Sequence, residues 1–152
     1  MELSNITSMN TPAPWEIRDL LSTEKTAARE VMRELRPQLD DGQYWSLLEA
    51  QEKNAGYQMF GAWAQGQLIG VLGYRWTENF VRGLYLYIDD LVVISTWRKR
   101  GVGEALLAHG DDLARARGVT CVMLVAAPEA EGFYERIGFQ PHMARLYRRD
   151  LP

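Results

Sequence analysis

The run Leu91-Val92-Val93-Ile94-Ser95-Thr96-Trp97-Arg98-Lys99-Arg100-Gly101-Val102-Gly103 leads from an apolar stretch through three basic residues to two glycines, just ahead of an amphipathic segment. Its chemistry suits an anion. A helix opening at Val102 offers N–H groups with no intrahelical acceptor and the positive end of its dipole. Gly101 and Gly103 allow a phosphate group to approach the main chain, while Arg98, Lys99 and Arg100 add positive charge. Read alone, the same residues also suit a tight strand-to-helix turn followed by a solvated basic surface. Asp89 and Asp90 stand immediately upstream of the apolar run. Successive strand residues face opposite sides, so in a regular strand these two carboxylates cannot serve one pocket. Each is a candidate for binding a cationic substrate, or for pairing with an arginine such as Arg75.

Two common phosphate motifs are excluded. A P-loop requires Gly-Lys-Ser/Thr, which is absent, and a dinucleotide fingerprint requires glycine where Leu106 stands and an acidic residue where Ala126 and Ala127 stand. The remaining pattern, Arg/Gln-x-x-Gly-x-Gly/Ala, is filled by Arg98, Gly101 and Gly103 and resembles the acetyl-CoA motif of the GNAT superfamily of N-acetyltransferases. Downstream, Ala130-x-x-Phe133-Tyr134-x-x-x-Gly138-Phe139 resembles that family's later signature, a short helix beside the cofactor thiol. The blocks occur in family order and at family spacing, and together they cover roughly Tyr85 to Leu151. Tyr87-Ile88-Asp89-Asp90-Leu91-Val92-Val93 is similar to the corresponding stretch of polyamine-type members. One departure is Ala127, where the family often carries an asparagine that helps to hold the cofactor.

The resemblance implies acetyl-CoA as co-substrate and no metal. It places the diphosphate on Arg98, Lys99, Arg100, Gly101, Val102, Gly103 and Glu104, the pantetheine and thioester along Leu91, Val92 and Val93, and the thiol beside Phe133. It gives Tyr134 the role of general acid and lets Asp89 address the substrate amine, through a bridging water because Asp is shorter than Glu. It also implies a bulge in this strand that turns an N–H near Val92 or Val93 toward the acetyl carbonyl. Acetyl transfer to an amine needs a neutral amine, a stabilised oxyanion and a protonated leaving thiolate. An alkylammonium of pKa about 10.4 is neutral only about one part in a thousand at pH 7.4, a deficit of roughly 4 kcal/mol, so a proton acceptor helps. The implied acceptor is the primary amine of a small molecule. A protein lysine or N-terminal amine, or a CoA-binding module without catalysis, are the alternatives.

Placing these groups requires a strand, a turn and a helix in one small α/β domain. The chain has 152 residues, the size of one domain. Residues Met1–Pro14 are expected to form a flexible arm and 15–152 the domain. An edge strand is expected over Trp15–Leu20, then a helix capped by Ser22 and stopped by Pro37, and a second over about Gln43–Lys53. Strands follow at Tyr57–Ala64 and Leu68–Trp76, joined through Gln65-Gly66-Gln67, and at Leu84–Ile94. A helix over Val102–Arg117, a strand over Val119–Ala126, a short helix over Pro128–Arg136 and a final strand over Met143–Leu151 complete the pattern. The fold class implied is a mixed, mostly antiparallel sheet of six to seven strands flanked by about four helices, with a parallel pair at the cofactor cleft.

With 17 basic and 20 acidic residues the net charge is −3, which argues against nucleic acid. A single cysteine, Cys121, excludes an internal disulfide and reads as a core residue, and His109 and His142 lack metal-site spacing. No long apolar run or signal-like start appears, so the cytoplasm is the expected location, with no membrane partner. A homodimer is in keeping with the family. Tyr44, Trp45, Trp63, Tyr74, Trp76, Tyr85 and Tyr87 either wall an acceptor cleft or fill the core.

Overall fold

Apolar residues at helical spacing on α1 (Lys25–Leu35) bury Ala28, Val31 and Met32 against the sheet. A 3-10 turn over Ser22–Glu24 precedes this helix, so Ser22 does not cap it as expected. Glu24 ties the turn instead, accepting the Leu21 N–H at 3.3 Å and pairing with Arg18 at 2.9 Å. The next helix, α2 (Asp41–Ala55), begins two residues before the expected Gln43 because Asp40 and Gln43 form a reciprocal capping box. It ends on Gly56, whose φ of +63° is left-handed. The computed structural model describes residues 13–152, and the arm expected over Met1–Pro14 lies outside the described residues except for its last two.

Among the described residues the sheet has five strands in sequence order, β1 (Glu16–Asp19), β2 (Gln58–Ala64), β3 (Gln67–Asn79), β4 (Gly83–Val93) and β5 (Val122–Leu124). The first four are antiparallel, and β4 and β5 are parallel. Left-handed Gln65 and Gly66 make the tight turn between β2 and β3. The crossover from β4 to β5 is α3 (Val102–Ala116), and α4 (Glu131–Arg136) follows β5 after a turn opened by Pro128. One core lies between α3 and the sheet, with Ile69, Leu72, Leu86, Val102, Leu106 and Leu107. The other lies under α1 and α2, with Leu68, Val71 and Val92 from the sheet. Among the described residues no helix is long and apolar enough to cross a membrane.

Two expectations need correction. The sheet has five strands, fewer than six to seven, because Met143–Leu151 forms no strand and residues 141–152 are exposed. The strand expected over Val119–Ala126 is only Val122–Leu124, since it has a neighbour on one side alone and parts from β4 after Ile88 meets Leu124. An apolar run shows that a segment can be buried; only a second neighbour would have extended it.

Gly73 in β3 has a specific cause. A Cβ there would collide with the Tyr57 phenol, whose hydroxyl passes over this glycine to donate to Asp90 Oδ2 at 2.7 Å. Gly73→Ala is therefore expected to destabilise the fold by about 2 kcal/mol, the scale of core overpacking. Urea denaturation measures this, and an unchanged midpoint would remove the steric constraint.

Candidate active site

The opening between β4 and β5 originates in one inserted residue. Gly73 pairs with Asp90 and Tyr74 with Ile88, leaving Asp89 without an opposite residue, so Asp89 is a β-bulge. Before the bulge, the Leu86 N–H donates to Cys121 O across the parallel pair at 3.1 Å. Beyond it, the Ile94 N–H donates in the opposite direction, to Ile69 O of β3 at 2.9 Å. Strand parity then directs the main-chain groups of Leu91 and Val93 toward the open side, where β5 has departed, and sends the Val92 N–H into the ladder with β3. Side chains follow the same inversion. Leu86, Ile88, Leu91 and Val93 pack toward α3, whereas Val92 packs toward α1 and α2. Of the two donors anticipated, Val93 is the one aimed into the cleft.

At the far end of the cleft, α3 starts on Gly101, with φ of +88°, and no side chain caps it. Lys99 is also left-handed, with φ of +61°, so the turn carries two such residues around Arg100. The first N–H groups of α3 are thus left for an external anion. Gly103 keeps this end open, because a Cβ there would stand 3.4 Å from the Phe133 ring and 3.8 Å from Val93. These features fit the diphosphate of a CoA thioester: main-chain donors at Val102, Gly103 and Glu104, with Lys99 and Arg100 exposed beside them. Arg100 lies over the Trp97 ring at 4.8 Å.

Arg98 is placed differently from the expectation of a phosphate ligand. Its Nη2 donates to Glu34 at 2.8 Å and its Nε to the Val93 carbonyl at 3.1 Å. Glu34 also accepts the Ser95 N–H at 3.1 Å. Arg98 and Glu34 together fasten the phosphate turn to the end of α1, and neither the position nor the spacing of Glu34 announces this in the sequence.

The two aspartates both have arginine partners. Asp89 receives Arg75 through both oxygens, at 2.7 and 2.9 Å, and the guanidinium lies over Tyr87 at 5.0 Å. This hydrogen bond to Asp89 is the main reason that Arg75 holds its proton still more firmly than an ordinary arginine. Asp89 is therefore in the ion-paired alternative, a poor arrangement for direct proton acceptance. Buried Asp90 accepts from Arg36 at 2.8 and 3.1 Å and from Tyr57. Burial, then the negative charge of Asp90, drives the Tyr57 phenol well above its usual range. Arg36 and Tyr57 were not singled out from sequence, although Gly73 in a strand of β-formers signals the close approach of Tyr57.

Phe133 and Tyr134 lie on α4, ring centroids 5.1 Å apart, with Phe139 5.6 Å beyond Tyr134. Tyr134 lines a cavity of about 420 Å³ with Leu124, Ala126 and Glu131. Burial raises its phenol above the ordinary value, so it stays protonated at neutral pH. Cys121 is half-buried on the same cavity, and His109 packs on Phe60 at 4.6 Å. Of the aromatics proposed for a cleft, Tyr87 adjoins Asp89, whereas Tyr44, Tyr74 and Tyr85 are buried.

A bulged strand parting from its parallel neighbour, with an uncapped helix N-terminus at the head of the gap, defines an acetyl-CoA-dependent N-acetyltransferase. The sequence model of the acetyltransferase (GNAT) family matches residues 15–139, and the chain belongs to this family. It is 30% identical to the uncharacterized N-acetyltransferase YhdJ of Bacillus subtilis over 81% of this chain and 90% of that protein. A glucosamine 6-phosphate N-acetyltransferase of Trypanosoma brucei brucei is 32% identical over 57% of this chain and 59% of its own length. Among solved structures, an acetyltransferase of Trypanosoma brucei superposes with a TM-score of 0.73 and 26% identity, covering 90% of this chain and 99% of that one. The aminoglycoside N-acetyltransferase AAC(6')-Iy in complex with CoA shares the fold, with a TM-score of 0.78 at 19% identity over 93% of this chain and 97% of that one.

Gly103→Trp is expected to abolish acetyl-CoA binding measurable by calorimetry, because the indole would enter the space between α3, Phe133 and Val93. Normal affinity in a folded variant would move the diphosphate elsewhere.

Proposed function

We propose that residues 15–152 form a cytoplasmic catalytic domain that transfers the acetyl group of acetyl-CoA to the primary amine of a small molecule by direct attack, with Tyr134 as general acid. The observation that carries this reading is the cleft beyond the Asp89 bulge, headed by the uncapped end of α3. The names of relatives, one acting on glucosamine 6-phosphate and another on aminoglycosides, support a small amine as acceptor.

Acetyl-CoA supplies an activated acetyl thioester. Val102, Gly103 and Glu104 would hold its diphosphate by main-chain N–H groups, with Lys99 and Arg100 neutralising charge. The main-chain groups of Leu91 and Val93 would align its pantetheine and acyl oxygen, with the N–H of Val93 as oxyanion donor. Phe133 would pack beside the sulfur. Tyr134 keeps a proton at Oη and offers it as a hydrogen bond where thiolate charge develops. Burial raises its phenol above the ordinary value, so the proton stays on Oη until thiolate charge develops and is then donated as a hydrogen bond. Asp89, paired with Arg75, keeps the bulge in place, and the amine proton passes to solvent.

Tyr134→Phe is expected to lower kcat at least tenfold with little change in acetyl-CoA affinity, measured by thiol release over an amine panel. The wild-type rate should fall at high pH as the phenol ionises, above about pH 10 since its pKa is raised, and that limb should vanish in the variant. An unaltered rate would remove Tyr134 from the mechanism. Asp89→Asn should reduce kcat/KM less than tenfold and preserve its acidic limb; disappearance of that limb would restore Asp89 as the proton acceptor.

A further inference from the structure

With acetyl-CoA held as proposed, by the end of α3 and along Val93 and Leu91, the acetyl group lies beside the Asp89 bulge and the acceptor amine must arrive there. Around that bulge the hydrogen-bond acceptors are used and the donors are in surplus. Both carboxylate oxygens of Asp89 accept from Arg75, at 2.7 and 2.9 Å. Asp90 accepts Arg36 on Oδ1, at 2.8 and 3.1 Å, and the Tyr57 hydroxyl on Oδ2 at 2.7 Å. Each arginine binds through Nε and Nη2, so its Nη1 group has no partner among the described residues. The two side chains are 32% (Arg75) and 40% (Arg36) exposed. They also converge on one residue, Arg75 on the Asp89 carboxylate and Arg36 on the Asp89 carbonyl at 3.4 Å.

We infer that the acceptor is a primary amine carrying a carboxylate or phosphate group, which Arg36 and Arg75 receive through their Nη1 groups beside the bulge. This deepens the transfer reading above and rests on it. An acceptor with a second ammonium would have to take Asp89 from a bidentate arginine, whereas an anionic substituent leaves both ion pairs intact and fills the donors they leave over. Each pair is neutral as a whole, so recognition depends on the short-range geometry of the guanidinium fork and little on net charge. That geometry is set in advance: the Tyr87 ring at 5.0 Å and the two bonds to Asp89 fix the plane of Arg75. The cavity beside Tyr134 sets Arg82 and His142 against Glu131 and Glu135 and favours neither sign, so selection by charge falls to the arginines at the bulge.

Matched amines test this on the full chain: phosphoethanolamine against ethanolamine, β-alanine against β-alaninamide, and spermidine as a cationic acceptor. Thiol release gives kcat/KM for each, and calorimetry on the CoA-loaded chain gives binding. The anionic member of at least one pair is expected to bind and react about tenfold better than its neutral counterpart, and better than spermidine; the pair that shows this tells phosphate from carboxylate. Arg75→Gln combined with Asp89→Asn removes one guanidinium without leaving an unpaired carboxylate, and should narrow the preference about threefold or more, through KM. A variant that still binds acetyl-CoA and keeps the full preference would overturn the assignment. Acetylation with no preference, or with spermidine or the neutral members favoured, overturns the inference and leaves the transfer reading standing. Tighter binding of the anionic members without acetylation supports the anion site and counts against the transfer reading. No difference in either binding or rate overturns the anion site whether or not any amine is acetylated.

Discussion

Because side chains and main-chain polar groups alternate with a period of two along a strand, the one residue that β4 inserts at Asp89 reverses both for everything that follows. Without the insertion, Leu91 and Val93 would present their main-chain groups to β3, and the open side of β4 would receive those of Val92. The bulge also coincides with the last pair between β4 and β5, Ile88 with Leu124. A strand that twists more strongly at a bulge can no longer follow its parallel neighbour. One insertion therefore both opens the cleft and supplies it with donors.

Holding such an irregularity requires partners for the residues it displaces. Asp90 is 9% exposed, and a carboxylate this deep needs every available donor; Arg36 and Tyr57 provide them. Asp89, more accessible, is met by Arg75 from the neighbouring strand. Arg36 also reaches the Asp89 carbonyl at 3.4 Å, so a single guanidinium holds both the bulged residue and the one that follows it. The pair Glu34–Arg98 does the same for the phosphate turn. That pair is too exposed to add much stability. Its consequence is positional: the C-terminal part of α1 contacts the bulge through Arg36 and the turn through Glu34.

Legibility in the sequence followed the range of each interaction. The turn from Ser95 to Gly103 could be read because its glycines, basic residues and following helix are contiguous, and local chemistry determines their conformation. The helices, the β2–β3 hairpin and the apolar core faces could be read for the same reason. Arg36, Tyr57 and Glu34 could not, since their partners lie 54, 33 and 61 positions away, and nothing in their own neighbourhoods distinguishes them from ordinary surface or core residues. The Glu34 partner of Arg98 is hidden for a related reason: a motif position identifies a residue type, whereas its partner is decided by what α1 brings alongside. The bulge has no composition of its own, and only the pairing of Gly73 and Tyr74 across the strand reveals it.

The shortness of β5 is the counterpart of the bulge. With three residues paired to β4 and none of the described residues paired on its outer side, β5 is held by its ladder along one edge and by packing of Val122 and Leu124 on the core. α4 follows β5 after the turn over Pro128–Ala130, so the position of Tyr134 depends in part on a strand anchored along one edge. Hydrogen bonds from Phe139 and Ile137 to the Tyr134 carbonyl, at 3.0 and 3.2 Å, close the end of that helix, and the Phe139 ring abuts the phenol. They fix α4 to itself, while Phe133, Tyr134, Ile137 and Phe139 pack it on the core between α3 and the sheet. If Tyr134 acts as proposed, its precision, where a displacement near 1 Å can cost about a hundredfold in rate, depends on this packing as well as on the cleft it faces.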